Sequence, residues 1–281
     1  MRHIVLFEPD ASGHRMVFVR YIVEAMARHG GVRATLVTTE RGKTGFERLT
    51  IDDRAHRLVT MHVIGEPDAG GKRLPLPRKL SMQAEQTRLL RAALQSLGSD
   101  AAVDHVLIPF IDDYCLLPAL WRTATFGTIP FSGIAIRPRF HLKKSGADVP
   151  NRPADWVERL AYRRLLSAPS FKTLFSIDPY LEQRLDTPRV VTVCDPADIA
   201  GNIADPAWLP VAEEAVVLLV YGYIDSRKAI DRLLRLVADP AMPKSLVVAL
   251  VGEQDRQLRP VMESALAVSL RAEHRLVEVN R

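Results

Sequence analysis

Short continuous apolar runs alternate along this chain with longer stretches in which apolar residues recur every third or fourth position. Short runs bounded by turn residues predict buried strands, and the wider period predicts helices with one buried face. The first run, His3 to Glu8, predicts a strand. After a turn at Pro9 to Gly13, Met16, Val19, Ile22, Val23 and Met26 fall on one side of a helix from His14 to His29, which Gly30 and Gly31 end. A strand over Arg33 to Thr38, a short helix over Lys43 to Leu49 and a strand over Leu58 to Ile64 follow. Beyond a Gly- and Pro-containing loop, Gly65 to Pro77, come a long helix (Leu80 to Leu97), a strand (Asp104 to Pro109), a helix (Tyr114 to Thr123) and a strand (Ile129 to Ile134).

Next is a basic loop, Arg137 to Pro153, then a helix over Ala154 to Leu166. Strands over Phe171 to Ser176 and Arg189 to Val193 flank a helix at Pro179 to Leu185. Asp195 to Glu214 carries Pro196, Pro206 and Pro210 without periodicity and reads as a linker. The alternation then restarts: strand Ala215 to Val220, helix Arg227 to Ala238, strand Ser245 to Val251, helix Gln254 to Leu270, strand Arg275 to Val279. Pro260 predicts a break or kink in that last helix. This order predicts an α/β protein with mostly parallel sheets and helices on both faces. The expected domains are residues 1–194 and 215–281, joined by the linker 195–214. No repeat or low-complexity tract interrupts them.

Composition adds bounds. The chain has 281 residues, 47% hydrophobic and 25% charged, ordinary values for a water-soluble globular protein. The net charge of +5 is local: Arg137 to Arg189 holds eleven Lys or Arg against six Asp or Glu, a surplus equal to the whole. A basic middle suits a surface facing anions, or a plain solvated face. Charge alone is all that favours nucleic acid, since basic and aromatic residues do not interleave on strands and no helix-turn-helix stands out. The two cysteines, Cys115 and Cys194, form no metal or redox motif, which fits a reducing, cytoplasmic setting. The N-terminus does not read as a signal peptide, and no apolar run approaches the roughly 18 residues that span a bilayer.

Candidate chemistry lies where strands give way to helices. In VLLVYGYIDSRKAIDRLL, Val217 to Leu234, Arg227 and Lys228 stand where the loop enters a helix. A helix N-terminus carries partial positive charge and free N–H groups, so two cations there make a diphosphate site; the plain alternative is a basic helix start capped by Asp225 or Ser226. In LVVALVGEQD, Leu246 to Asp255, Gly252 allows close backbone approach, with Glu253 beside it. In EPDASGHR, Glu8 to Arg15, Gly13 and His14 open the first helix, though a single glycine is not a dinucleotide fingerprint; a tight turn capped by Ser12 is the alternative. In IPFIDDYCLLPAL, Ile108 to Leu120, Asp112 and Asp113 sit at a strand end, placed to cap the next helix or to bind hydroxyls. In SGIAIRPRFH, Ser132 to His141, Arg137 or Arg139 can meet an anion, and His141 receives no role. In the helix Asp155 to Leu166, Trp156, Val157, Leu160 and Leu165 are flanked by Arg159, Arg163 and Arg164. Such a helix either packs on the sheet or lies against an anionic membrane surface.

Together these motifs resemble GT-B glycosyltransferases, the family 4 type in particular, whose second domain opens with a Gly-x-x-x-x-x-Lys-Gly loop holding the donor diphosphate. Gly222 and Lys228 match that pattern. Tyr223 stands where the family has Arg, and Ala229 where it has the second Gly; Arg227 offers a planar fork in compensation. The resemblance implies two Rossmann-like doubly wound domains, the second incomplete here. The family's Glu-x7-Glu segment, many tens of residues past the Lys loop, has no counterpart between Lys228 and Arg281.

It also implies transfer of a hexose from a UDP or GDP sugar in polysaccharide biosynthesis. The acceptor is a glycan or a lipid-linked sugar, the anomeric configuration is retained, and neither metal nor other cofactor is needed. Donor contacts fall to Gly13, Gly222, Arg227, Lys228, Gly252 and Glu253, and acceptor contacts to His14, Asp112 and Arg137. No catalytic residue is singled out. Peripheral contact with the inner membrane face through Asp155 to Leu166, and a partner chain at the open edge of the second sheet, complete the expectation. The alternative to an enzyme is a short, non-catalytic or partner-dependent relative that binds or regulates.

Overall fold

The computed structural model describes residues 1–11, 14–66, 76–98, 102–121, 126–136, 138, 140, 153–194, 211–212, 214–225 and 228–279. The chain divides into two compact units, Met1–Ala197 and Asp198–Arg281.

The first unit is built on seven parallel strands: β1 (Arg2–Phe7), β2 (Val32–Thr38), β3 (Val59–Val63), β4 (His105–Ile108), β5 (Phe131–Ala135), β6 (Phe171–Ser176) and β7 (Val190–Thr192), in spatial order β3-β2-β1-β4-β5-β6-β7. The helices between them are α1 (Arg15–His29), α2 (Glu40–Glu47), α3 (Asp53–Leu58), α4 (Leu76–Gly98), α5 (Leu116–Trp121), α6 (Pro153–Leu166) and α7 (Pro179–Leu185). Successive side chains of a strand point to opposite faces, and β1 shows both faces covered. Val5 and Phe7 join one core with Leu90, Phe131, Tyr162 and Phe171. Ile4 and Leu6 pack into another with Val19, Val23, Leu36 and Phe46. That double burial is why the strand reads as a continuous apolar run rather than an alternation. An aromatic chain, Phe7–Tyr114–Phe126–Phe131–Phe171, crosses the first core with ring centroids 4.9–6.4 Å apart.

The second unit holds β8 (Val216–Tyr221), β9 (Leu246–Val251) and β10 (Leu276–Val279), parallel and in spatial order β10-β9-β8, with α8 (Ile230–Ala238), α9 (Arg259–Met262) and α10 (Ala265–Ala272). Ile230, Leu234 and Val237, at i, i+4 and i+7, form the buried stripe of α8 against Val248, Leu250 and Leu270. Among the described residues β8 is an edge, with Val216, Leu219 and Tyr221 each more than half exposed.

One element is new and two expectations need correction. The stretch before β3, left unassigned by the apolar pattern, is helical: Asp52 accepts from Arg54 N and starts α3, which ends at Leu58, where the strand was expected to begin. The helix expected from Arg227 begins only at Ile230, with no side-chain cap from Asp225. The helix expected over Gln254 to Leu270 is a 3-10 turn and two helices. Pro260 sits in the first turn of α9, where its missing N–H costs nothing, and Ser264 caps α10 by accepting from Ala267 N at 3.3 Å. Among the described residues no helix is long and apolar enough to cross a membrane.

Candidate functional site

Strand β1 pairs with β2 on one side and β4 on the other, so the strand order reverses between β1 and β4. The crevice outside the carboxyl ends of such a pair is where open α/β sheets place ligands. Glu8, the first residue past β1, is 1% exposed. Its Oε1 accepts from Arg15 Nη1 at 3.0 Å and from Asp10 N at 3.1 Å. Burial pushes the carboxyl up to about 7, offset in part by Arg15 and by the Asp10 N–H. Arg15, in the first turn of α1, also meets Asp10 Oδ2 at 3.2 Å and Asp113 Oδ2, and its guanidinium lies 4.4 Å from the centre of the Phe110 ring. Burial works against its charge, but Glu8, Asp113 and Asp10 outweigh it and hold Arg15 more firmly protonated than usual. One guanidinium thus ties the loop after β1 to the turn after β4.

That turn is braced from behind. The buried Gln83 amide of α4 donates to Asp113 C=O at 2.7 Å and accepts from Leu117 N at 2.9 Å. The capping expected of Asp112 or Asp113 at α5 is therefore replaced at Leu117 by a side chain from another helix. Asp112 does something else: Oδ1 accepts from Tyr162 OH at 2.5 Å and Oδ2 from Ile136 N at 2.6 Å. It links the end of β4 to the end of β5 and to α6. Burial first, then the Asp112 charge, pushes the Tyr162 phenol well up, so it remains a donor. His14 is exposed and immediately precedes α1; its C=O accepts from Phe18 N at 3.0 Å and its side chain makes no capping bond. Gly13, Arg137, Arg139 and His141 lie outside the described residues.

In the second unit the carboxyl edge is assembled from backbone. Gly222 (φ +81°) follows β8 and Gly252 (φ +129°) follows β9. A Cβ on Gly252 would come within 2.2 Å of the Gly222 carbonyl oxygen, so only glycine permits this approach. Gly222 N donates to Val251 O, Ile224 N to Glu253 O and Asp255 N to Ile224 O, at 2.8–2.9 Å, which zips the two loops together. Lys228, exposed, donates from Nζ to Tyr221 O at 3.2 Å and lies 5.7 Å from the centre of the Tyr221 ring. Ala229 follows with φ +49° and ψ +42° and precedes α8. Tyr223 OH donates to Asp255 Oδ2 at 3.1 Å, and that bond raises its phenol above the usual value. The Glu253 side chain is exposed. Ser226 and Arg227 lie outside the described residues. The edge therefore brings together Gly222, Lys228, Gly252 and the N-terminus of α8.

Sequence reasoning did not single out Glu8 or Arg15. Their signal was a carboxylate directly after a buried apolar run, with an arginine seven residues on in the first turn of the next helix.

No protein-family model matches the chain, and no curated protein sequence matches it. Solved structures do. The apo form of UGT2 from Phytolacca americana superposes with a TM-score of 0.59 at 13% identity, covering 100% of this chain and 72% of that one. HepE from Anabaena in complex with UDP gives 0.58 at 11% identity, with 100% and 69% covered. The lipopolysaccharide outer core galactosyltransferase WaaB, in its apo form, gives 0.55 at 11% identity, with 100% and 68% covered. At these identities the likeness is one of fold: α/β units of the kind found in GT-B glycosyltransferases.

Proposed function

We propose that the protein is a glycosyltransferase that moves a hexose from a UDP or GDP sugar to a glycan or lipid-linked hydroxyl. In the transfer the bond from the anomeric carbon to the diphosphate oxygen breaks, and a bond from the acceptor oxygen to that carbon forms. The acceptor's proton leaves, and the nucleoside diphosphate departs with the electron pair. Lys228, Arg227 and the N-terminus of α8 meet the charge that develops on the diphosphate, without a metal. Gly222 and Gly252 let the donor approach the backbone closely, and Gly13 and Glu253 complete the donor side. His14 and Arg137 are assigned to the acceptor, with Asp112 holding the ends of β4 and β5 beside it. The anomeric configuration is retained.

The observation that carries this reading is Ala229. The resemblance has glycine after the lysine, and an alanine there looks like a loss of the loop. Yet Ala229 adopts the left-handed backbone that glycine adopts freely and an L-residue reaches only at a cost of about 1–2 kcal/mol. A left-handed residue after Lys228 is the conformation a glycine there would favour, and it is present although the residue is alanine. Strain kept at a strand-to-helix turn is characteristic of functional sites.

Titration calorimetry with UDP and GDP tests the reading. One of the two should bind, and Lys228→Ala should weaken it about 10- to 100-fold, the worth of one charge-assisted hydrogen bond. Failure of both nucleotides to bind at millimolar concentration, or unchanged affinity in the variant, would sink it. Turnover of UDP-glucose or GDP-mannose, followed as released nucleotide, separates a transferase from a protein that only binds.

A further inference from the structure

The second unit contains an open cavity of about 460 Å³ between the turn that follows β9 and helices α9 and α10. That volume lies within the roughly 300–1,000 Å³ of small-molecule sites. It is separate from the edge described above, since Gly222, Lys228 and Gly252 do not line it. Three guanidinium groups do. Arg256 opens the 3-10 turn Arg256–Leu258, Arg259 is the first residue of α9, and Arg271 stands in the last turn of α10.

The three differ in how firmly they are held. Arg271 is fixed from two sides: Nη1 donates to Met262 C=O at 2.7 Å and Nε to Glu278 Oε1 at 2.6 Å. Glu278 also accepts from Gln254 Nε2 at 2.8 Å, which ties β10 to the cavity's rim. Arg271 Nη2 is left for a ligand. Arg259 meets Glu263 at 2.7 Å, but both side chains are exposed, and such a pair contributes little and yields readily. Among the described residues the Arg256 side chain has no hydrogen-bond or ion-pair partner, so its charge is unbalanced. The rest of the lining is of two other kinds. Met262, 6% exposed, closes the cavity on the core side, and Val268, 54% exposed, continues that apolar wall. Asp255 and Glu263 supply carboxylate acceptors.

Each kind of group has a complement. Guanidinium forks suit phosphate oxygens. Carboxylates accept from hydroxyls. Methionine and valine cover C–H surface. We propose that this cavity is a second ligand site and that it takes a phosphorylated monosaccharide. The phosphate meets Arg256, Arg259 and Arg271, the ring hydroxyls meet Asp255 and Glu263, and one face of the ring lies on Met262 and Val268. A bare phosphate would leave the carboxylates and the apolar wall unused. A polyanion would be repelled by the carboxylates. The inference does not depend on sugar transfer, because the cavity is separate from the Lys228 edge and its occupancy is read without turnover.

Methyl spectra of the whole chain with isotope-labelled methionine test it, since Met262 lines the cavity and Met16 belongs to the first unit. Met262→Leu identifies the signal. Glucose-6-phosphate, the probe, should shift Met262 saturably at millimolar concentration and leave Met16 unmoved. Glucose should shift neither, and inorganic phosphate should bind at least about tenfold more weakly. Replacing Arg256 and Arg259 together by Gln should weaken binding about tenfold. Both side chains are exposed, so circular dichroism should be unchanged. Lys228→Ala should leave the titration as it is. No saturable shift at Met262, or a double variant that titrates like the wild type, would overturn the proposal. Equal affinity for inorganic phosphate would overturn it in favour of a plain anion site. Loss of the response in Lys228→Ala would overturn it by placing the phosphate at the other edge.

Discussion

The two sheets end differently at their carboxyl edges. In the first unit the edge is held by side chains: Arg15 gathers Glu8, Asp10 and Asp113, and Asp112 gathers Tyr162 and Ile136 N. In the second it is held by backbone: two positive-φ glycines and a ladder of loop hydrogen bonds, with Lys228 anchored on a carbonyl. A side-chain edge is sensitive to charge and pH. A backbone edge depends on side-chain identity only through the φ and ψ that each position must keep. It fails where a Cβ has no room.

The sharpest way to break the contrast is Gly252→Ala. It adds a Cβ against the Gly222 carbonyl and forces an L-residue to φ +129°. A loss of about 3 kcal/mol or more in the second unit is expected. Hydrogen exchange should show faster opening of β8 and β9 with the first unit unchanged; equal effects in both would refute the separation.

Arg15→Met comes next. It removes one partner of a buried ion pair and should cost about 3 kcal/mol at pH 8. The loss should shrink toward pH 5, because Glu8 then takes up a proton. A pH-independent loss in chemical denaturation would mean the guanidinium acts through packing alone.

Glu8→Gln isolates the linkage. The folded carboxyl holds its proton up to about pH 7 and the unfolded one up to about 4.5. The folded state therefore binds more protons between those values, and wild-type stability falls as pH rises through that window. The Tm of Glu8→Gln relative to the wild type should rise from pH 4.5 to 7 and level off above. A flat difference would place the Glu8 carboxyl at an ordinary value. The smallest expected effect is Ala229→Gly, a gain of about 0.5 kcal/mol from relieved strain, partly cancelled by the entropy of the unfolded glycine.

Much of the first unit's fold was legible because doubly buried parallel strands leave continuous apolar runs and their helices keep a clear stripe. The elements missed or misread were those in which short-range polar chemistry decides: the Asp52 cap that starts the unassigned α3, and the Ser264 cap and Pro260 placement that divide the last helical stretch. At the candidate sites, Gly222, Lys228 and Gly252 were legible because a loop between strand and helix fixes their spacing locally. Arg15 with Asp113, and Asp112 with Tyr162, were not, because the partners stand far apart in sequence and meet only through strand order.

The sequence by itself determined the alternation of elements, the two-part organisation, the glycine and lysine positions of the second unit, and the spacing that puts Trp156 and three arginines on one helix face. Each depends on periods of a few residues, set by backbone geometry. Only the tertiary structure decided which face of α6 is buried, that Asp112 bridges strands instead of capping a helix, that Glu8 and Arg15 are enclosed together, and that Ala229 keeps a glycine's backbone. These follow from which strands become neighbours, and from how much water and space the packing leaves at each position.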